Sequence, residues 1–127
     1  MKNRLLEVFS LMAGLLISSD SLLAHHNQGA FNNQVVATVT GTVKEFNWMN
    51  PHSMMILSVK DEKGESADWA IEMSPPNSLS RDNGWNDKTF KPGDHVTVDG
   101  NPYKDGRKIM RPKKVIMPDG KPFTGRM

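Results

Sequence analysis

The chain of 127 residues is the length of one domain and can bury a core of modest size. It is 37% hydrophobic and 24% charged, as soluble globular proteins are, and its net charge is only +2 with the basic residues spread along the chain. This composition excludes the dense basic surface of a nucleic-acid-binding protein. The lack of cysteine excludes disulfides and thiolate metal sites.

The N-terminus has the three parts of a secretory signal peptide. A short basic segment holds Lys2 and Arg4, an apolar run follows over residues 8–17, and a more polar stretch ends at Ala24. The apolar run is about ten residues long, and a membrane-spanning helix needs roughly 20. We therefore predict residues 1–24 to be a signal peptide cleaved after Ala24, which gives a periplasmic or secreted protein that does not span the membrane. The alternatives are cleavage after Ser21 and an uncleaved segment that is an anchor or a core helix.

A polar segment, residues 25–34, is predicted to be an extended arm that leads into the first strand. That strand covers residues 35–49, where apolar residues alternate until the pattern changes phase at Phe46 and Trp48. The phase change, together with Gly41 inside the strand, predicts a bent strand with a β-bulge.

One short helix and four further strands are predicted after the first strand. The strands are expected at residues 52–60, 65–73, 95–103 and 108–117, with the helix between Ser74 and Gly84. The order β-β-β-α-β-β is that of an OB-like five-stranded barrel, an all-β fold with one helix between the third and fourth strands. The barrel domain is placed at 35–118 and a loose C-terminal tail at 119–127. A different small barrel or a sandwich is the alternative, because periodicity does not fix closure.

Several stretches of the chain carry a resemblance to a known family. They are the signal peptide ending in Ala-His-His, TGTVKEFNWMNPH (40–52), WAIE (69–72), SPPNSLSRDNGW (74–85) and KPGDHVTVDGNPYKDG (91–106). Together they resemble the domain of unknown function 6152 family of small exported bacterial proteins. The resemblance implies location and fold, and no activity. More distantly, the chain resembles small periplasmic OB-type proteins, one group of which carries Cu(I) on a His, two Met and a Trp.

Two adjacent histidines stand at the predicted mature N-terminus. The α-amine and imidazole of His25 can together chelate Cu(II), and His26 adds a second imidazole. His52, which follows Asn50-Pro51 at the start of the second predicted strand, is the best candidate for a third ligand. The sequence therefore predicts a copper site. The alternatives are an unstructured N-terminus and a His52 that donates a hydrogen bond to a neighbouring carbonyl.

The predicted hairpin of the second and third strands adds two methionines to the predicted copper ligands. If Asp61 and Gly64 pair across the turn, His52 lies opposite Met73, and Met54 lies on the same face. Directly opposed side chains have Cβ atoms about 5 Å apart. Imidazole and thioether ligands suit Cu(I). The alternative is that the methionines fill the core.

Catalytic signatures are mostly missing from the sequence. It contains no glycine-rich phosphate loop and no nucleophile elbow. Asp68 and Glu72 share the outer face of the third strand about 13 Å apart, too far for the carboxylate pair of a retaining glycosidase. We interpret both as part of a solvated strand face.

Three functions follow from these patterns. The first is an exported, non-enzymatic binding protein whose partner is a metal ion, with copper held by His25, His26, His52, Met54 and Met73. The second is a module that binds an envelope protein or a glycan through an aromatic barrel face bearing Trp48 and Trp85. The third is a copper-dependent oxidative enzyme, for which the chain lacks an evident substrate platform. Convergence of the histidines would favour the first function, and joint exposure of the two tryptophans the second.

Overall fold

Six strands and one helix make up residues 29–127, the part of the chain that the computed structural model describes. They are β1 (Ala37–Asn47), β2 (Met54–Lys60), β3 (Ser66–Glu72), α1 (Pro76–Asn83), β4 (His95–Pro102), β5 (Ile109–Ile116) and β6 (Pro122–Phe123). The predicted signal peptide, His25 and His26 lie outside the described residues. Among the described helices, none has the length and apolarity needed to cross a membrane.

The first five strands form a closed barrel in the predicted order. They pair as β3-β2-β1-β4-β5, and β3 then pairs in parallel with β5 at Ala70–Ile109 and Ile71–Met110. The amide of Ala70 donates to the carbonyl of Lys108 at 2.9 Å across this seam. The helix lies between β3 and β4 in the chain, so the OB-like prediction is confirmed.

The long strand β1 bends so that it can serve both neighbours. It pairs with β4 over residues 37–42 and with β2 over 42–47, and its register with β2 shifts between Val43 and Glu45. The extra residue reverses which parity faces inward, from Val39 and Val43 to Phe46. The bulge predicted from the phase change is confirmed.

The barrel interior is filled by apolar side chains from every long strand and from the helix. Met55, Leu57, Ile71, Val98 and Met110 are fully buried at its centre. Beside them, an aromatic cluster fills one part of the core, with edge-on or tilted ring contacts 4.8–5.3 Å apart among Phe46, Trp85, Phe90 and Phe123.

The register of the β2–β3 hairpin differs by one residue from the prediction. Asp61 pairs with Glu65 around a three-residue turn, in which Gly64 has φ +80° and the Asp61 carboxylate accepts from two turn amides. A three-residue loop that ends in a left-handed glycine is a common hairpin turn. As a result Met54 lies opposite Glu72, and Met73 lies opposite Ser53. The prediction that His52 lies directly opposite Met73 is wrong.

The C-terminal segment is not loose, contrary to the expectation for residues 119–127. Pro122 and Phe123 form β6 against β5, and Met127 is buried in the core cluster. The Asn83 side chain at the end of α1 donates to the carbonyl of Arg126 at 2.6 Å. This segment therefore packs against the barrel and extends it beyond residue 118.

Candidate metal-binding site around His52

The candidate site lies where the β1–β2 loop meets the end of β3. The loop runs over residues 48–53, and Ser53 forms two backbone hydrogen bonds with the residues just after β3, Met73 and Ser74. These bonds extend the β2–β3 ladder, so the position of His52 is fixed by strand pairing on its C-terminal side. Because side chains alternate along a strand, His52 shares the outer face with Met54 and with Glu72 across the ladder.

The His52 ring is held through one of its two nitrogens. Nδ1 lies 3.1 Å from the Met73 carbonyl oxygen and 3.8 Å from Glu72 Oε1. A carbonyl can only accept, so Nδ1 carries the proton and donates it. The predicted alternative of a histidine bonded to a neighbouring carbonyl is therefore present. In the neutral ring this bond leaves the lone pair on Nε2, and no other residue among 29–127 forms a hydrogen bond with this ring. The side chain is 42% exposed, so solvent ions can reach it.

Glu72 is the residue of this site that sequence reasoning missed. Its side chain is only 12% exposed, and among the described residues His52 is the one basic side chain within 4.0 Å of its carboxylate. A carboxylate with so little solvent exposure is stabilised by a nearby positive charge. The correct hairpin register places Glu72 directly opposite Met54. Alternation along the third strand predicts the same outer face for Glu72, but as a solvated position with no partner.

Tyr103, in the β4–β5 loop, lies near enough to Glu72 to be affected by its charge, and it packs within a cluster of aromatic and basic side chains. Phe31 is buried, lies edge-on to Tyr103 with ring centroids 4.7 Å apart, and is covered by the guanidinium of Arg111 at 4.2 Å. Burial and, next, the negative charge of Glu72 raise the pKa of Tyr103 above its ordinary value. The β1–β2 and β4–β5 loops of OB folds flank their usual binding face. His52 belongs to the first of these loops and Tyr103 to the second.

The structure brings together only part of the predicted ligand set. Met54 is half-buried on the face of His52, and Met49 in the same loop is 52% exposed. The Met73 side chain is 1% exposed and belongs to the core, so it is not available beside His52. His25 and His26 lie outside the described residues. Within residues 29–127, no group of three His, Asp or Glu side chains is arranged to hold a metal ion.

The two predicted aromatic binding residues do not form a shared exposed face. Trp85 is buried and packs on Phe90 and Phe123. Trp48 is half-buried, packs against the core, and lies edge-on to Phe46 at 5.7 Å. The sequence signal was ambiguous because Trp85 follows the helix-ending Gly84, where the chain turns back over the barrel. The condition set for the aromatic interaction module, joint exposure of both indoles, is not met.

Comparison with known proteins gives one match. The family described as "Family of unknown function (DUF6152)" matches residues 14–110. No curated protein and no solved structure matches the chain.

Proposed function

Since the chain belongs to the DUF6152 family, whose function is unknown, its role has to be argued from its own geometry, and we propose that it is an exported binding protein that holds one copper ion on His52. The observation that carries this proposal is the state of the imidazole. Its Nδ1 is engaged by the Met73 carbonyl beside the Glu72 carboxylate, and its Nε2 is free among the described residues.

This arrangement is the one that metal-binding histidines have in proteins. A ligating imidazole almost always donates its other N–H to a carbonyl or carboxylate, which fixes the ring and raises the basicity of the ligating nitrogen. Here the carbonyl takes the hydrogen bond, and Glu72 adds negative charge 3.8 Å from the same nitrogen. Glu72 is therefore a positioning residue for His52, and Nε2 is the ligand atom.

The neighbouring donors favour copper over hard cations. Met54 shares the outer face with His52, and Met49 offers an exposed thioether three residues earlier in the chain. Imidazole with thioether is a soft set that suits Cu(I). The predicted contributions of His25 and His26 stay predictions. The described part of the site offers one anchored imidazole, whereas the copper centre of an oxidative enzyme uses two histidines. This single imidazole supports binding without catalysis.

Copper titration of the exported protein tests this proposal. The full-length gene is expressed with its own N-terminus, and the purified product is titrated with Cu(I) against a chromogenic chelator while its intact mass is recorded. We expect one copper per chain. His52→Ala should weaken binding at least tenfold, and Glu72→Gln should weaken it about tenfold through the loss of the negative charge beside Nδ1. The mass also gives the N-terminus, and a His25→Ala, His26→Ala variant measures the contribution of these two residues.

His95→Ala is the matched control for the His52 variant. His95 is the other described histidine; it is exposed on β4, with Nδ1 3.2 Å from the Thr42 hydroxyl. Its loss should leave copper affinity unchanged. Equal affinities for His52→Ala and the parent protein would overturn the His52 site. If the amino-terminal variant alone lost copper, the metal would be held by the N-terminus and the barrel would have another role.

A further inference from the structure

We propose that a second site, independent of His52, binds a small organic anion in the cleft between the α1–β4 segment and the β5–β6 turn. This cleft has a volume of about 570 Å³ and is lined by residues 88–94 on one side and 117–123 on the other. Cavities that bind small molecules in proteins typically measure about 300–1,000 Å³. The cleft lies at the opposite end of the β4–β5 hairpin from Tyr103 and the His52 site.

The charge of the cleft favours an anion. Three lysines, Lys88, Lys91 and Lys121, line it together with two aspartates. Within the described chain, none of these ammonium groups lies within 4.0 Å of a carboxylate, whereas Lys44 and Lys114 elsewhere both do. The ammonium groups of these exposed lysines are therefore available to an anionic ligand.

The two aspartates of the cleft are partly occupied by their own turns. Asp94 accepts a hydrogen bond from the backbone amide of Lys91 at 2.9 Å, and Asp119 accepts one from the amide of Lys121 at 2.9 Å. Both carboxylates therefore have a structural role in shaping the cleft walls. They offset part of the lysine charge and leave an excess of one positive charge in the lining.

The apolar part of the lining indicates the body of the ligand. Phe123, Met117 and two prolines contribute apolar surface to the cleft. The Phe123 ring packs against Trp85 with centroids 4.8 Å apart, and Gly125 lies so close to the ring that a side chain there would collide with it. The ring is therefore held in place and offers a fixed surface. A ligand with a flat apolar body and an anionic head, such as an aryl carboxylate, matches both halves of the lining.

Three probes of graded chemistry test the proposal by NMR titration of the exported, isotope-labelled protein. They are 2-naphthoate, the neutral 2-naphthalenemethanol and acetate, which carry the body with the charge, the body alone and the charge alone. We expect 2-naphthoate to bind at least fivefold more tightly than either other probe. Its chemical-shift changes should concentrate in residues 88–94 and 117–123.

Charge-removal variants separate the cleft from general binding to basic surface. Lys91→Gln with Lys121→Gln should weaken 2-naphthoate binding about fivefold to tenfold, because each lost charge pair near water is worth roughly a factor of two to five. Lys63→Gln, in the exposed β2–β3 turn, is the matched control and should change nothing. Equal binding of the neutral and anionic probes, or shift changes outside the cleft, would overturn the proposal. Copper binding has no part in this test, so the two sites succeed or fail separately.

Discussion

Hydroxyl groups on the outer face of β1 pair with side chains of β4, and one of these pairs involves a charge. The Thr38 hydroxyl donates to Asp99 at 2.6 Å, and Lys114 lies 3.5 Å from the same carboxylate. The Thr38 hydrogen bond is the largest of the effects that lower the pKa of Asp99, ahead of the charge of Lys114. A carboxylate whose pKa is lowered by folding stabilises the folded state above its unfolded pKa, and this stability is lost as the pH falls through the lowered value.

Thr38→Val should therefore lower the free energy of unfolding in a pH-dependent way. We expect a loss of about 0.5–1 kcal/mol at pH 7, the net value of one such hydrogen bond near the surface. The loss should shrink as the pH falls through the lowered pKa of Asp99, below which the carboxyl is protonated in both states. Urea denaturation from pH 7 to pH 2 measures it. Thr40→Val is the control, because that hydroxyl pairs with the Thr97 hydroxyl at 2.9 Å and no carboxylate titrates there. Parallel pH curves for the two variants would contradict the assignment.

Gly41 is required by the close approach of β1 and β2. A Cβ at this position would lie 2.5 Å from the Ser58 carbonyl oxygen and 3.0 Å from a methyl of Val59. Because the first of these atoms belongs to the backbone, relief requires the strands to separate. Gly41→Ala should destabilise the protein by about 2–3 kcal/mol, at the upper end of the cost of overpacking. Thermal and urea unfolding measure it, and Thr40→Ala on the exposed face of the same strand should cost far less.

At the scale of elements, the strands and the β1 bulge could be predicted from the sequence, but the register of the β2–β3 hairpin could not. The alternation of apolar residues and its change of phase can be read from the sequence, because side chains along a strand repeat every two residues. Register depends on the turn, and the letters of the Asp61–Gly64 stretch fit more than one loop length. A change of one residue in the length of the turn gives every residue of β3 a different partner on β2. For this reason Met73 lies opposite Ser53 and not His52, and Glu72 lies opposite Met54.

The C-terminal segment shows a second limit at this scale. Residues 119–127 have little periodicity, so the sequence predicted a tail, but tertiary packing buries Met127 in the core. Met127→Ala should lower the free energy of unfolding by about 2 kcal/mol, the lower end for a buried methionine. Met49→Ala, at an exposed methionine, is the control and should cost almost nothing. A Met127 variant as stable as the control would mean that this segment does not stabilise the barrel.

At the scale of the whole molecule, closure of the barrel could not be derived from periodicity. Which strands meet at the seam depends on the bend of β1 and the twist of the sheet, and the parallel β3–β5 contact joins residues far apart in the chain. The same closure assembles the candidate site, because it brings the end of β3, with Glu72, beside Tyr103 at the start of the β4–β5 loop. His52 could be named as a candidate residue from its place after a strand break, whereas Glu72 could be named as its neighbour only from the folded chain.

The seam is also the place where we expect the barrel to open first. The β3–β5 contact has two residue pairs, whereas the β1–β4 and β4–β5 ladders have six each. Local opening takes less free energy where fewer hydrogen bonds and contacts must break together. The Ala70 amide, bonded across the seam to Lys108 at 2.9 Å, should exchange with solvent deuterium at least tenfold faster than the amide of Val98, which lies between β1 and β5. Native-state hydrogen exchange followed by NMR measures both amides in one sample. Equal protection would show that the seam opens only with the whole barrel, and Glu72 would then be held as firmly as the core.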